Sequence, residues 1–478
     1  MFIDRQSVCK RKDAKLMKDK SFGTFLILWL GQFVSSIGSG LTAFGLGVYV
    51  FQQTQSATAV SMVTLSAFLP IILLAPVGGV LADRFDRRLM MLIGDGGAVI
   101  GLAYLLFLLA TGEAALWQIC ASVAFSSLFA SLTEPAYRAS ISDLLTEEYF
   151  AKASGMVQLA GAAKFLISPV VAGLLMQVMD VEMLILMDVS TIIVTFLTIT
   201  AVRRSFGGKP VRAEIQDKAP VKELDGAAKK EKSRPIIQMA QELREGWQLV
   251  VSNRGVLMLM LLLTAITFYM GFLETLYTPM VLPLSDEKTL GIVQSVSATG
   301  LLLGSLFIGL FSKSSRYVRM LSVGLLIAGL FFSLIGMSPN VWLIAGAGFL
   351  FFAAMPFVNT GADVLIRKNI PNEAQGRAWG IIGVISQLGY VLAYASAGPL
   401  ADHVFNPLLE ANGALASTVG QLIGTGPGRG IGLLFMVAGV SVIGLGFAVA
   451  RMKSVIQLEK QAAADEIKPA DDSVVPGV

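Results

Sequence analysis

Charge is scarce in this chain. Asp, Glu, Lys and Arg make up 15% of its 478 residues, against about 25% in a soluble domain. With 54% hydrophobic residues and a mean hydropathy of +0.70, too little polar surface is left to cover a globule in water. The outer face is therefore assigned to lipid. Histidine occurs once, as His403, and cysteine twice, as Cys9 in a basic tail and Cys120 in an apolar run. That excludes a disulfide framework and leaves no Cys/His cluster to hold a metal. No Gly-rich loop runs into Lys-Ser/Thr, so nucleotide hydrolysis has no motif here. No nucleophile–base constellation stands near either membrane face, so no enzyme is expected. The net charge of +4 is small, and no nucleic-acid partner is expected. What is plentiful is glycine, 48 residues of it, which lets membrane helices approach closely.

A hydrocarbon core of about 30 Å needs about 20 apolar residues in a helix. Twelve such runs are present. The first six cover 22–50, 57–82, 89–110, 114–137, 154–179 and 183–202; the second six cover 256–282, 289–312, 318–337, 341–362, 378–402 and 431–450. The ten-residue alternating strands of a membrane barrel are missing. Lys and Arg collect on alternate connections. Arg5, Lys10, Arg11, Lys12, Lys15, Lys18 and Lys20 precede the first run; Arg84, Arg87 and Arg88 follow the second; Lys313, Arg316 and Arg319 follow the eighth. Lys288 and Arg429 are the exceptions on the other side. By the positive-inside rule both termini are cytoplasmic, in a cell membrane. The basic N-terminus is not read as a cleavable signal, because the run after it is too long and lacks a small-residue cleavage site.

The expected organisation is a basic N-terminus (1–21), a first six-helix bundle (22–202), a cytoplasmic linker (203–255), a second six-helix bundle (256–451) and a cytoplasmic tail (452–478). Within the linker, 236–251 is amphipathic and suits a helix on the inner surface. Part of the first half recurs in the second. A shift of 225 places Ile141, Lys152, Gly155 and Gly173 on Ile366, Arg377, Gly380 and Gly398. Two similar halves around one central site is a transporter architecture; recurrent glycine in helices is the plainer reading. Since the repeat supplies both halves, a monomer is expected.

Between the second and third runs stands Gly78-Gly79-Val80-Leu81-Ala82-Asp83-Arg84-Phe85-Asp86-Arg87-Arg88. Asp83 ends a helix at the interface, and Arg87 and Arg88 follow about one turn later. Such charges can pair with each other and with a neighbouring helix end. A pair that forms in one state and breaks in another is a latch; the plainer reading is a set of positive-inside anchors.

This loop resembles the signature loop of the major facilitator superfamily. The resemblance implies an all-α membrane protein of twelve transmembrane helices in two pseudo-symmetric six-helix bundles. It also implies a gating set of Gly79, Asp83, Arg84, Arg87, Arg88 and, after the fourth helix, Asp143. Gly31-Gln32-Phe33, Ser56-Ala57-Thr58-Ala59, Glu134-Pro135-Ala136, Ile185-Leu186-Met187-Asp188, Glu245-Gly246-Trp247 and Gln375-Gly376-Arg377 further resemble the branch that contains macrolide-efflux proteins and the enterobactin exporter. That branch implies export of drug- or siderophore-type compounds by proton antiport. The fifth-helix motif of exporters is matched by Gly161, Pro169 and Gly173, with Ser168 where the motif usually has Gly. The Arg that many proton-coupled exporters carry in the fourth helix has no counterpart between Trp117 and Thr133.

A charge in the hydrocarbon core costs about 2.5–3.5 kcal/mol on insertion scales, so it should face a cavity or a partner. Lys164, Glu134, Glu274 and Asp188 are the candidates for substrate binding or proton coupling, with Lys164 set beside Glu134 or Glu274; structural ion pairs or snorkelling side chains are the alternative. For Asp188, as for Asp95, the favoured reading is a packing or interfacial residue. The expected function is secondary active efflux of amphiphilic organic compounds, with no cofactor beyond an ion gradient, which the resemblance implies is one of protons. Uptake or lipid-type transport, and a non-transporting receptor, are the other readings.

Overall fold

The computed structural model describes residues 5–112, 114–205, 235–311 and 316–467. The expected linker residues 206–234 and Lys313 lie outside the described residues, as do the side chains of the N-terminal basic cluster and of Asp83.

Backbone groups in hydrocarbon have no water to bond, so each apolar run closes its own hydrogen bonds as a helix. The helices are α1 (Arg5–Thr54), α2 (Ala57–Arg84), α3 (Arg87–Thr111), α4 (Leu116–Leu144), α5 (Glu147–Leu166), α6 (Ser168–Leu175) and α7 (Val181–Ser205). After the linker come α8 (Pro235–Ser252), α9 (Arg254–Val281), α10 (Glu287–Phe311), α11 (Tyr317–Met337), α12 (Val341–Lys368) and α13 (Asn372–Leu400). Short turns then lead to α14 (Arg429–Arg451) and α15 (Lys453–Ile467). Among the described residues no strand occurs, and 12 spans are long and apolar enough to cross a bilayer. The fold is all-α and membrane-spanning. The fifth span is made of two helices, α5 and α6, because Pro169 has no N–H to continue the ladder. The eleventh runs on from α13 through a π-helical turn at Ala401–Phe405, just after Pro399.

Several helices outrun their apolar stretches. The fourth run was expected to end at 137, yet α4 continues to Leu144, and Leu145 N–H still donates to Ile141 O at 3.0 Å. Hydropathy marks where lipid ends, whereas the helix ladder continues into the charged interface.

The contacts of the chain group into two units. The first is Met1–Gln55, Met62–Lys232 and Glu287–Ser295; the second is Ser56–Ser61, Ser233–Asp286 and Val296–Val478. In the first, Phe25, Leu28, Met91, Ala136, Tyr137 and Ile199 form a buried apolar cluster. In the second, the rings of Phe351 and Phe435 stand 5.2 and 5.1 Å from that of Phe332. Large side chains such as Phe107, Trp117, Leu197, Leu310 and Trp342 remain exposed, as lipid-facing positions must.

Glycine sets the closest crossings. A Cβ on Gly439 would lie 2.5 Å from Gly329 O, so α11 and α14 meet backbone to backbone there. A Cβ on Gly398 would lie 2.5 Å from Thr58 Cα, bringing α13 against the first turn of α2 within the second unit.

That first turn is fully capped. Ser56 Oγ accepts from Ala59 N–H at 3.2 Å and donates to Asp402 Oδ2 at 2.7 Å. Asp402 in turn accepts from Thr58 N–H at 2.8 Å and Ala57 N–H at 3.2 Å. A carboxylate at a helix N-terminus also meets the positive end of the helix dipole. Asp402→Ala removes the acceptor of the Ala57 and Thr58 N–H groups and of the Ser56 hydroxyl and should cost about 0.5–2 kcal/mol, the usual range for a lost cap. A lower melting temperature in detergent checks this, and a variant as stable as wild type contradicts it.

Candidate functional site

The first cluster of charges lies where α2, α3, α4 and α7 end, all within the first unit. Asp86 caps α3 by accepting from Arg88 N–H at 3.1 Å, and its other oxygen lies 3.5 Å from Arg203 Nε on α7. Arg87 reaches the end of α4: its Nη1 is 2.8 Å from Asp143 Oδ1 and also donates to Ala139 O. Its Nε donates to Ala82 O at 3.3 Å. One guanidinium thus ties α2, α3 and α4 together. Arg88 is buried, while Arg84 is exposed. Of the two glycines, it is Gly78 that touches α4, where a Cβ would lie 3.1 Å from Ser131 O. A Cβ on Gly79 would meet open space. Asp86 and Arg203 join the cluster without a signal in the sequence beyond their sign, since they are far apart along the chain.

The second cluster lies deep in the same unit, around α1. Gly38 makes room for Asp188 of α7: a Cβ there would lie 2.8 Å from Asp188 Oδ1. Two residues on, Gly40 makes room for the junction of α5 and α6. A Cβ there would lie 3.0 Å from Lys164 O and 2.5 Å from Ser168 Cβ. One stretch of α1 therefore has Asp188 against one position and the backbone of Lys164 against another. Lys164 is within electrostatic reach of Asp188. Asp188 is 2% exposed. Ser39 Oγ donates to it at 3.5 Å, and Thr42 and Thr191 flank it. Ser168, the departure from the Gly-Pro pattern, is fully buried and donates to Ile37 O at 3.0 Å. Gly173 in α6 contacts Glu287 O at the start of α10, and Gly291 there contacts Pro169 O. A Cβ on Gly161 would meet open space.

The partners of the other acids differ in kind. Glu134 pairs with Arg138 one turn along α4 at 2.8 Å, with both side chains well exposed. Asp95 is buried and its Oδ1 accepts from Thr133 Oγ1 at 3.0 Å. In the second unit, Glu274 accepts from Tyr394 Oη at 2.6 Å. Tyr394 is buried and its ring lies 5.8 Å from that of Tyr390, while Glu274 itself is exposed. An exposed carboxylate held by a buried phenol keeps a fixed direction.

Among the described residues no group of three or more His, Cys, Asp or Glu side chains is placed to hold a metal ion.

The Major Facilitator Superfamily model matches residues 28–394. Macrolide efflux protein A of Streptococcus pyogenes is 24% identical over 390 residues, covering 80% of this chain and 90% of that protein. Enterobactin exporter EntS of Shigella flexneri is 31% identical over 158 residues, 33% of this chain and 38% of that protein. Among solved structures, a bacterial homologue of the human lysosomal transporter Spinster superposes with a TM-score of 0.63 at 14% identity, over 94% of this chain and 99% of the other. A D-xylose-proton symporter gives 0.60 at 15% identity, over 90% and 97%. At these identities the structural matches speak for the fold.

Arg87 and Asp143 are 19% and 38% exposed, so water screens their attraction and the pair is worth up to about 1 kcal/mol. A double-mutant cycle of Arg87→Gln and Asp143→Asn, read by thermal unfolding, should return a favourable coupling of that size. Strictly additive losses would contradict the contact.

Proposed function

The chain belongs to the major facilitator superfamily, and from that premise we propose that it exports amphiphilic organic compounds of drug, macrolide or siderophore type, driven by protons. As a member of this family it is a multi-pass membrane transporter and not an enzyme. The observation that carries the direction and substrate class is the 390-residue kinship with a protein named for macrolide efflux. The fragment of kinship with an enterobactin exporter points the same way.

Transport proceeds by alternating access, with the substrate site turned first to one side of the membrane and then to the other. Both termini lie in the cytoplasm, the working form is a monomer, and the ion gradient replaces any cofactor. Coupling requires a group that changes charge where substrate can sense it. Asp188 and Lys164 suit that role. Asp188 is enclosed and the half-buried Lys164 is packed by its backbone against the same stretch of α1, so a change of charge at Asp188 would alter what can bind beside Lys164. Glu274, exposed and fixed by Tyr394, offers an anionic contact for a cationic compound.

Cells that make this protein should accumulate less ethidium and less of a macrolide than control cells, and a protonophore should abolish the difference. Lys164→Ala and Glu274→Gln, at normal membrane abundance, should each slow efflux about tenfold, equivalent to about 1.4 kcal/mol in the barrier. Exclusion that survives the protonophore would remove proton coupling. Unchanged rates in both variants would remove these residues from the site.

A further inference from the structure

We propose that the second unit carries a headgroup site for an anionic phospholipid, built where α8, α9 and α15 meet. The site is separate from the charged groups discussed above and does not depend on the direction of transport.

The site begins with how α8 is held. Gly246 lies against the backbone carbonyl of Arg377 on α13, and Arg377 Nη1 pairs with Glu245. Val250, one turn on, is fully buried. With that face docked, Trp247 and Val251 are left exposed, at 44% and 42%. They stand four residues apart and so share one face of the helix. An exposed Trp beside an exposed Val at the end of a membrane span suits the level where headgroups meet acyl chains.

At Ser252, the last residue of the same helix, opens a cavity of about 810 Å³. Small-ligand sites occupy about 300–1,000 Å³, so a phosphate-bearing headgroup fits. Its lining includes Arg254 and Lys453 together with the neutral polar side chains of Asn253, Ser454, Gln457 and Gln461, and no carboxylate. Two acids near it whose side chains are described are committed elsewhere: Glu459 accepts from Val318 N–H at 3.0 Å, and Glu245 is held by Arg377. Two cations without a compensating anion make a cavity selective for negative charge. Arginine adds a planar fork of donors that matches phosphate oxygens.

The ligand must then carry a phosphate and an apolar body together. Free phosphate would use the cations but gain nothing from Trp247 and Val251. A phospholipid uses both, and basic pockets between membrane helices are a known setting for acidic headgroups.

The test is native mass spectrometry of the full-length protein, stripped of lipid and then offered phosphatidylglycerol or phosphatidylcholine of the same chain length. Wild type should retain phosphatidylglycerol at least tenfold more tightly than phosphatidylcholine. Arg254→Gln with Lys453→Gln should abolish that preference while leaving phosphatidylcholine binding unchanged. Should the double variant fail to fold, Gln457→Glu places a carboxylate in the lining and should reject phosphatidylglycerol in the same way. Equal binding of the two lipids by wild type, or a preference that survives the substitutions, overturns the proposal. Displacement of phosphatidylglycerol by millimolar inorganic phosphate, with equal thermal stabilisation by phosphate alone, would assign the cavity to free phosphate and overturn the lipid assignment.

Discussion

Hydrocarbon offers no hydrogen bonds, and the rest of this structure follows from that constraint. Every backbone group in the membrane must find a partner within the protein, which leaves the helix as the form each apolar run takes. Helices in lipid gain little from burying apolar side chains against each other, since the lipid is equally apolar. Close backbone approach and interhelical hydrogen bonds hold them together instead. The glycines at the α11–α14 crossing and along α1 are the local expression of this. So are Thr195 Oγ1 donating to Gly31 O at 3.1 Å and Ser333 Oγ donating to Met436 O at 3.2 Å. Each such bond contributes about 0.6 kcal/mol, and their number matters more than any one of them.

The same constraint gives the charged groups their meaning. Arg87 and Asp143 sit at the edge, half in water, and act as a tie between helix ends. Asp188 is almost fully enclosed, where an uncompensated charge would be costly, and Lys164 stands within reach across α1. An edge pair can break cheaply during a conformational change. An enclosed carboxyl is costly to leave charged without a partner. This division of labour suits gating at the interface and coupling within the helices.

Much of the fold was legible in the sequence because hydropathy reports directly on the bilayer. The twelve runs fall on the twelve spans, and only the ends differ, as at α4, where the helix continues into charged interface. The split of the fifth span was not foreseen, although Pro169 was in view. The partnerships were legible only in part. Glu245-Gly246-Trp247 and Gln375-Gly376-Arg377 each stood out as a motif, but nothing in their spacing said that they meet, with Gly246 seated on Arg377. Lys164 was set beside Glu134 or Glu274 in the sequence; in the structure Glu134 holds Arg138 and Glu274 holds Tyr394, while Asp188 and the backbone of Lys164 pack against neighbouring positions of α1. Asp402 capping Ser56–Thr58 was hidden as well, because residues over 300 positions apart share no local pattern. Periodicity records what a residue faces; it does not record whom it meets.

In the proposed mechanism Asp188 is the group that exchanges the proton. The most direct measurement is proton release from the purified transporter in weakly buffered detergent, on saturation with the compound that cells exclude most strongly. Wild type should release protons on binding. Asp188→Asn should bind the same compound and release none, and Glu274→Gln should keep the release even where its affinity falls. Release of equal size from wild type and Asp188→Asn would contradict the account and place the exchanging proton elsewhere.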